Sequence, residues 1–163
     1  MDYSFSDELT DLYRLNGDKE KAEQNSREVI EMLSPASDVE TESAHGHYAD
    51  KELAYAYLKI NDTEKALKHA LIEYQRRPLN IDVCETLAWV YYRQGKTAYA
   101  YNLINQAMKT GSKNPVLLCR AGLIKIKSGE QEKGLALLKQ ALEINPFLDK
   151  ELKQESEGYL AAK

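Results

Sequence analysis

A chain of 163 residues, 43% of them hydrophobic and 29% charged, is long enough to bury the core of one domain. Its formal net charge of -4 provides no basic surplus for neutralising phosphates, so we expect no nucleic-acid partner. No apolar run approaches the roughly 18 residues that span a bilayer, and the first residues lack the basic and apolar regions of a signal peptide. We therefore expect no membrane partner and a cytoplasmic chain, or an envelope location if the chain is a piece of a longer exported protein.

A first pair of helices is predicted over residues 3–36. Small or apolar residues recur there at helical spacing, and a glycine separates the two helices. The positions that mark this pair are Leu9, Tyr13, Gly17, Ala22 and Ser34. The same pattern returns 44 residues later, which makes residues 37–46 an insertion.

Three further pairs are predicted over residues 47–148, repeating every 34 residues. Their first helices are predicted at Tyr48–Lys59, Asp82–Arg93 and Val116–Lys127. Their second helices are predicted at Asp62–Arg76, Lys96–Lys109 and Glu130–Ile144. Asn61, Gly95 and Gly129 stand at the turns, and Pro78 and Pro146 follow the second helices of two pairs.

Small residues recur in both helices of these three pairs. The sequence places Ala54, Ala88 and Gly122 opposite Ala66, Ala100 and Gly134. Small side chains at both positions let two helix backbones approach closely. No single pair can bury its own apolar face, so we expect the pairs to stack on one another.

The chain ends with the first half of a fifth unit. Leu152, Ser156 and Tyr159 lie 68 residues after Cys84, Ala88 and Tyr91. This terminal helix is rich in polar residues (Glu151, Lys153, Gln154, Glu155 and Glu157), as the capping helix of a stacked array must be to stay soluble. We therefore predict one domain over residues 1–163, with repeats near 3–36, 47–80, 81–114 and 115–148.

This pattern resembles the tetratricopeptide repeat (TPR) family, which has a 34-residue period with small, aromatic and proline residues at fixed positions. Three positions depart from the family pattern: Thr10, Glu73 and Lys125. The resemblance implies an all-α, right-handed superhelical solenoid of antiparallel helix pairs, with four repeats and a capping helix. It also implies a protein-binding scaffold whose concave face, lined by the first helices, takes a peptide segment of a partner.

Aromatic and apolar residues project from the first helices beside the predicted packed stripe. Tyr55, Trp89 and Leu123 form one row, and Tyr92 lies on the next turn. Such a strip, if exposed, is typical of a protein-binding groove with Trp89 as an anchor. The alternative is that these side chains complete the packing between adjacent repeats.

Basic residues form a second row on the same helices. Lys59, Arg93 and Lys127 are spaced by 34 residues, and Lys51 lies nearby. They could hold acidic side chains or a terminal carboxylate of a partner. The alternative is that they complement the helix dipole from the last helical turn.

His45, near the end of the insertion, and His47, directly after it, could ligate zinc or nickel, although a solvated loop is the favoured interpretation. Cys84 and Cys119 are expected to be reduced, partly buried thiols on neighbouring helices. No enzyme motif is present, so we predict a non-enzyme without a cofactor. The alternative to partner binding is a structural or self-associating segment of a longer repeat protein.

Overall fold

The computed structural model describes residues 3–34 and 49–162. These residues form nine α-helices and one 3-10 turn, joined by short turns and loops, and they contain no strand. In chain order the helices are α1 (Tyr3–Leu15), α2 (Lys19–Leu33), α3 (Asp50–Lys59), α4 (Thr63–Arg76), α5 (Ile81–Arg93), α6 (Thr97–Ala107), α7 (Pro115–Lys127), α8 (Gln131–Ile144) and α9 (Lys150–Ala161). The 3-10 turn, Met108–Thr110, continues α6. The predicted all-α architecture of four helix pairs followed by a terminal helix is confirmed. The insertion at residues 37–46, which includes His45, and His47 directly after it lie outside the described residues.

Each turn within a helix pair contains one residue with a left-handed backbone. The φ angles are 79° at Gly17, 58° at Asn61, 72° at Gly95 and 91° at Gly129. The amide that follows bonds back to a carbonyl in the last turn of the helix, as in the bond from Asp62 N to Tyr57 O at 3.0 Å. This pattern closes the helix end, so the glycine and asparagine turns predicted from the sequence are confirmed.

Asparagine side chains fix the starts of two first helices. Asn80 Oδ1 accepts bonds from the backbone amides of Asp82 and Val83 at 3.0 and 3.1 Å. Asn114 caps α7 in the same way, and Pro115 occupies the first position of that helix. Both caps satisfy amides that have no partner within the helix, which explains where α5 and α7 begin.

The helices divide into two compact units, residues 1–76 and residues 77–163. In unit 1, α1 pairs with α2, α3 pairs with α4, and α2 also contacts α3. In unit 2, α5 pairs with α6 and α7 with α8. There α7 also contacts α5, α6 and α9, while α9 contacts α7 and α8. Among the described helices, none is both long and apolar enough to cross a bilayer.

The backbones of α7 and α8 approach closely where two glycines face each other. A methyl group built on Gly122 would lie 2.9 Å from the carbonyl oxygen of Gly134. One built on Gly134 would lie 2.6 Å from the carbonyl oxygen of Gly122. The alanines at the equivalent positions of the other predicted pairs, Ala54, Ala66, Ala88 and Ala100, are fully buried. The predicted role of these small residues in close helix packing is therefore confirmed for α7 and α8.

Two of the departures from the repeat pattern have local polar partners. Thr10 is fully buried and donates to Ser6 O at 3.2 Å, and it accepts from Asn25 Nδ2 at 2.8 Å. Lys125 donates to Asn105 Oδ1 at 2.8 Å, and its ammonium lies 5.1 Å from the centroid of the Tyr101 ring. Each side chain is thus accommodated without a buried polar group left unsatisfied.

Candidate functional site

The predicted apolar row is not an exposed strip. Leu123 is fully buried, and only 7% of the surface of Trp89 is exposed. Leu123 cannot contact a peptide from inside the core, and Trp89 offers little more than an edge. The alternative given above, that these side chains complete the packing, therefore describes Leu123 and Trp89 better than an exposed strip does. Tyr55 and Tyr92 are half-buried and keep part of their rings at the surface.

A stack of side chains covers Trp89 within unit 2. Its ring stacks on that of Tyr92, with centroids 4.9 Å apart. The guanidinium carbon of Arg120 lies 5.1 Å from the Trp89 ring centroid, and Arg120 also forms a 3.0 Å ion pair with Glu85. Because Arg120 is held by Glu85 and by the indole face together, it shields the ring from solvent. Tyr92 is therefore the aromatic residue that this stack presents outward.

The basic row is divided between the units. In unit 1, Lys59 forms a 3.0 Å ion pair with Asp11, and its side chain is only 16% exposed. Arg14 donates to the carbonyl oxygen of Lys59. Lys51 is half-buried, with its ammonium 3.9 Å from Glu52. Lys59 therefore connects α3 to α1, which limits its reach toward a ligand.

In unit 2, Arg93 and Lys127 are exposed and border a pocket of about 390 Å³. We refer to it as the unit-2 pocket; its lining residues are Tyr92, Arg93, Gly95, Thr97, Lys127 and Glu155. The turn after α5 supplies Gly95, the first residue of α6 is Thr97, and α7 supplies Lys127 from its last turn. Three of the residues predicted to bind peptide, Tyr92, Arg93 and Lys127, are thus brought together.

Two hydrogen-bonding groups connect this pocket to α9. The Tyr92 hydroxyl donates to Glu155. Burial raises the pKa of Tyr92, and the bond to Glu155 raises it further. The hydrogen bond to Tyr159 is the main cause that raises the pKa of Lys127, whose ammonium lies 5.7 Å from the Tyr159 ring centroid. At neutral pH Tyr92 is therefore a neutral donor and Lys127 is a cation.

A polar cluster in unit 1 was not predicted. Asp50 Oδ1 lies 2.7 Å from His69 Nδ1, and Arg76 binds both Asp50 and Glu73. Burial alone would raise the pKa of Asp50, but the hydrogen bonds with His69 and Arg76 outweigh it and lower the pKa. The ring of His69 also stacks on Tyr57, with centroids 5.4 Å apart. The sequence signal was weak, since these residues belong to two helices and only their packing unites them.

Both cysteines are free and fully buried, deeper than predicted. Burial raises the pKa of each thiol; at Cys119 this effect prevails over the hydrogen bond with Ser156, which lowers the pKa. Within residues 3–34 and 49–162, no group of three histidine, cysteine or acidic side chains is arranged to hold a metal ion. The proposed ligands His45 and His47 lie outside that part of the chain.

Residues 116–147, which comprise most of α7 and all of α8, match the family model described as tetratricopeptide repeat. No curated protein matches the chain. The suspected resemblance to this family is confirmed by the match and by the solved structures that share the fold.

Three solved structures illustrate this similarity. A thermophilic TPR protein from Thermus thermophilus is 19% identical, with a TM-score of 0.62 over 98% of this chain and 82% of that one. The protein MamA is 14% identical, with a TM-score of 0.54 over 94% of this chain and 91% of that one. The first TPR of Spaghetti (RPAP3), bound to the HSP90 peptide SRMEEVD, is 20% identical, with a TM-score of 0.55 over 78% of this chain and all of that one. At these identities the comparison establishes the fold.

Proposed function

On the premise that this chain has the tetratricopeptide repeat fold and carries a matched repeat at residues 116–147, we propose that it binds a peptide segment of a partner protein. The fold is one that serves protein–protein interaction, and the matched family is generally a scaffold and not an enzyme. The finer proposal concerns the surface. Tyr92, Arg93 and Lys127 contact the peptide at the unit-2 pocket.

The observation that supports this most is the chemistry of the pocket. Two cations and a phenol hydroxyl border one cavity of about 390 Å³, together with Glu155, the carboxylate that accepts from the phenol. Lys127 is exposed and the Arg93 side chain is 30% exposed, so both can approach carboxylates without the desolvation cost of a fully buried ion pair. An arginine offers a planar fork to a carboxylate, and a lysine offers a point charge. This set favours an acidic peptide.

The structural neighbour bound to the HSP90 peptide SRMEEVD is consistent with an acidic ligand, since that peptide contains three carboxylate side chains. We propose the same class of ligand here, and not the same partner. With one pocket of this size the affinity for an isolated peptide is expected to be micromolar.

Lys51, Tyr55 and Lys59 remain candidate peptide contacts of unit 1. Tyr55 and Lys51 are half-buried on α3. Lys59 would have to exchange its ion pair with Asp11 for a ligand carboxylate, which makes it the weakest candidate of the three. We therefore place the primary binding surface in unit 2.

The test is a charge reversal in the full chain. An Arg93→Glu/Lys127→Glu variant is compared with Lys109→Glu/Lys139→Glu, which changes the charge equally at exposed positions away from the pocket. Both are titrated against an array of short synthetic peptides of graded net charge. Trp89→Ala is avoided because removing a buried indole would disturb the core.

We expect acidic peptides to bind the native chain, and the pocket variant to bind them at least about tenfold more weakly, a change of about 1.4 kcal/mol. The control variant should bind them as the native chain does, apart from a small change that added salt removes. Equal weakening in both variants, or none in either, contradicts the assignment of the pocket.

A further inference from the structure

The terminal helix α9 of the same unit forms one wall of the unit-2 pocket through Glu155, and it contacts the residues proposed to bind peptide. One face of this helix is buried through Leu152 and Ser156. The Ser156 hydroxyl lies 2.9 Å from Cys119 Sγ, which fixes this face against α7. The rotation of α9 about its axis is set by these two residues, and with it the direction of every other side chain on the helix.

The adjacent face of α9 presents three residues at four-residue spacing, Glu151, Glu155 and Tyr159. Each reaches one of the residues proposed to bind peptide. Glu151 Oε2 lies 3.9 Å from Arg93 Nη1, and Glu155 accepts the hydrogen bond of the Tyr92 hydroxyl. The Tyr159 ring lies beneath the Lys127 ammonium, at 5.7 Å from its centroid.

Residues four apart on a helix share a face, so this pairing is a continuous match between one helix and one surface. The first carboxylate lies against the guanidinium, the second accepts from the phenol hydroxyl, and the aromatic ring lies against the ammonium. The chain itself thus displays the ligand chemistry that the pocket fits.

We propose that α9 is a built-in competitor, which occupies the peptide-binding surface of unit 2, and that the partner is an acidic helix that displaces it. This inference rests on the proposed function of the unit-2 pocket. The partner helix carries carboxylates at positions i and i+4 and an aromatic residue at i+8, which are the positions of Glu151, Glu155 and Tyr159. Because the two helices exclude each other, the observed affinity falls with the fraction of chains in which α9 is docked.

The way α9 is held makes such an exchange feasible. Only two of its described residues are buried, against eight in α5 and seven in α7. The Glu151 side chain is 62% exposed, and its contact with Arg93 is long for an ion pair. An element with few buried contacts opens more readily than the core of the unit.

The test uses the full chain and a synthetic peptide of residues 149–162 as the probe. Glu155→Lys removes the acceptor of the Tyr92 hydroxyl and places a cation against the basic surface. The matched control is Glu157→Lys, the same charge change on the same helix at an exposed residue whose contact is a 3.8 Å pair with Lys153. Hydrogen exchange of the α9 amides reports release, and fluorescence anisotropy of the labelled peptide reports binding.

We expect faster exchange of the α9 amides in Glu155→Lys and binding of the peptide about tenfold tighter than to the native chain. Glu157→Lys should change neither quantity. The proposal is overturned if the α9 amides exchange faster while the affinity stays the same, if exchange of α9 is unchanged, or if both variants gain equally. It is also overturned if the peptide fails to bind Glu155→Lys at millimolar concentration.

Adding Arg93→Glu/Lys127→Glu to Glu155→Lys separates this inference from the proposed function. If the triple variant loses acidic-peptide binding while Glu155→Lys alone has no effect, the pocket is a binding site and only the proposed competition by α9 is contradicted. If the triple variant binds acidic peptides as strongly as Glu155→Lys does, the assignment of the pocket as the binding site is contradicted.

Discussion

The contact between Gly122 and Gly134 gives the sharpest stability prediction. In Gly134→Ala the new methyl group would lie 2.5 Å from Ile126 Cγ1, 2.6 Å from the Gly122 carbonyl oxygen and 3.0 Å from the backbone nitrogen of Ile126. The distance to the carbonyl oxygen is about 0.8 Å short of ordinary contact at 3.4 Å. The Ile126 side chain could rotate away, but the other two neighbours are backbone atoms and cannot, so α7 and α8 must separate.

Overpacking of this kind costs about 1–3 kcal/mol, and alanine regains about 1 kcal/mol over glycine in helix propensity. Because the clash involves backbone, we expect the upper part of the range and a net loss of about 1–2 kcal/mol. The free energy of unfolding is measured by urea titration followed by circular dichroism. Exchange of the α7 and α8 amides shows whether the loss is confined to that pair.

Gly158→Ala is the matched control. Gly158 is a helical, exposed residue of α9, and a methyl group there meets no atom within 4 Å. It should stabilise the protein by up to about 1 kcal/mol through helix propensity alone. If Gly134→Ala also stabilises, then α7 and α8 separate at no cost and the reasoning from close approach fails.

Three further predictions concern polar groups. Thr10→Ala restores the small residue of the repeat pattern but should cost about 1–2 kcal/mol in chemical denaturation, because Asn25 loses a buried acceptor. Asp50→Asn should cost about 1–2 kcal/mol at neutral pH. Because folding lowers the pKa of Asp50, its contribution to the free energy of unfolding is present above about pH 4 and is lost as the pH falls further. The free energy of unfolding of the variant should therefore depend less on pH in that acid range. Cys84 and Cys119, whose pKa values are raised by burial, should react with a thiol reagent at neutral pH far more slowly in the folded chain than in urea, and equal rates would contradict their burial.

The helix pattern could be predicted closely because it depends on local residues. The second helix predicted at Asp62–Arg76 is observed at Thr63–Arg76, and that predicted at Lys96–Lys109 ends as an α-helix at Ala107. Turn residues such as Asn61 need a left-handed backbone, which only a few residue types adopt easily. Because the period is fixed, a helix boundary identified in one repeat predicts the equivalent boundary in the next.

The site was harder to predict because exposure in stacked helices depends on neighbours. The sequence left open whether Trp89 lies at the surface or in the packing, because the residue that covers its ring, Arg120, comes 31 positions later. Glu155 was not a predicted site residue, since its contact with Tyr92 follows from where α9 packs and not from its own repeat position. Likewise the period shows that Thr10 occupies a position where the repeat pattern has a small residue. That Asn25 donates to its hydroxyl could not be predicted, because this contact depends on how α2 packs against α1.

The stack of Arg120, Trp89 and Tyr92 places the tryptophan where its fluorescence can report on the pocket. Trp89 is the only tryptophan in the chain, and its ring stacks on Tyr92. The Tyr92 hydroxyl in turn donates to Glu155. When Tyr92 exchanges that carboxylate for another, the electrostatic surroundings of the indole change while the indole stays buried. Ligand exchange at the pocket should therefore alter the intensity or wavelength of intrinsic emission in the unlabelled protein, so that its rate can be followed by stopped-flow mixing.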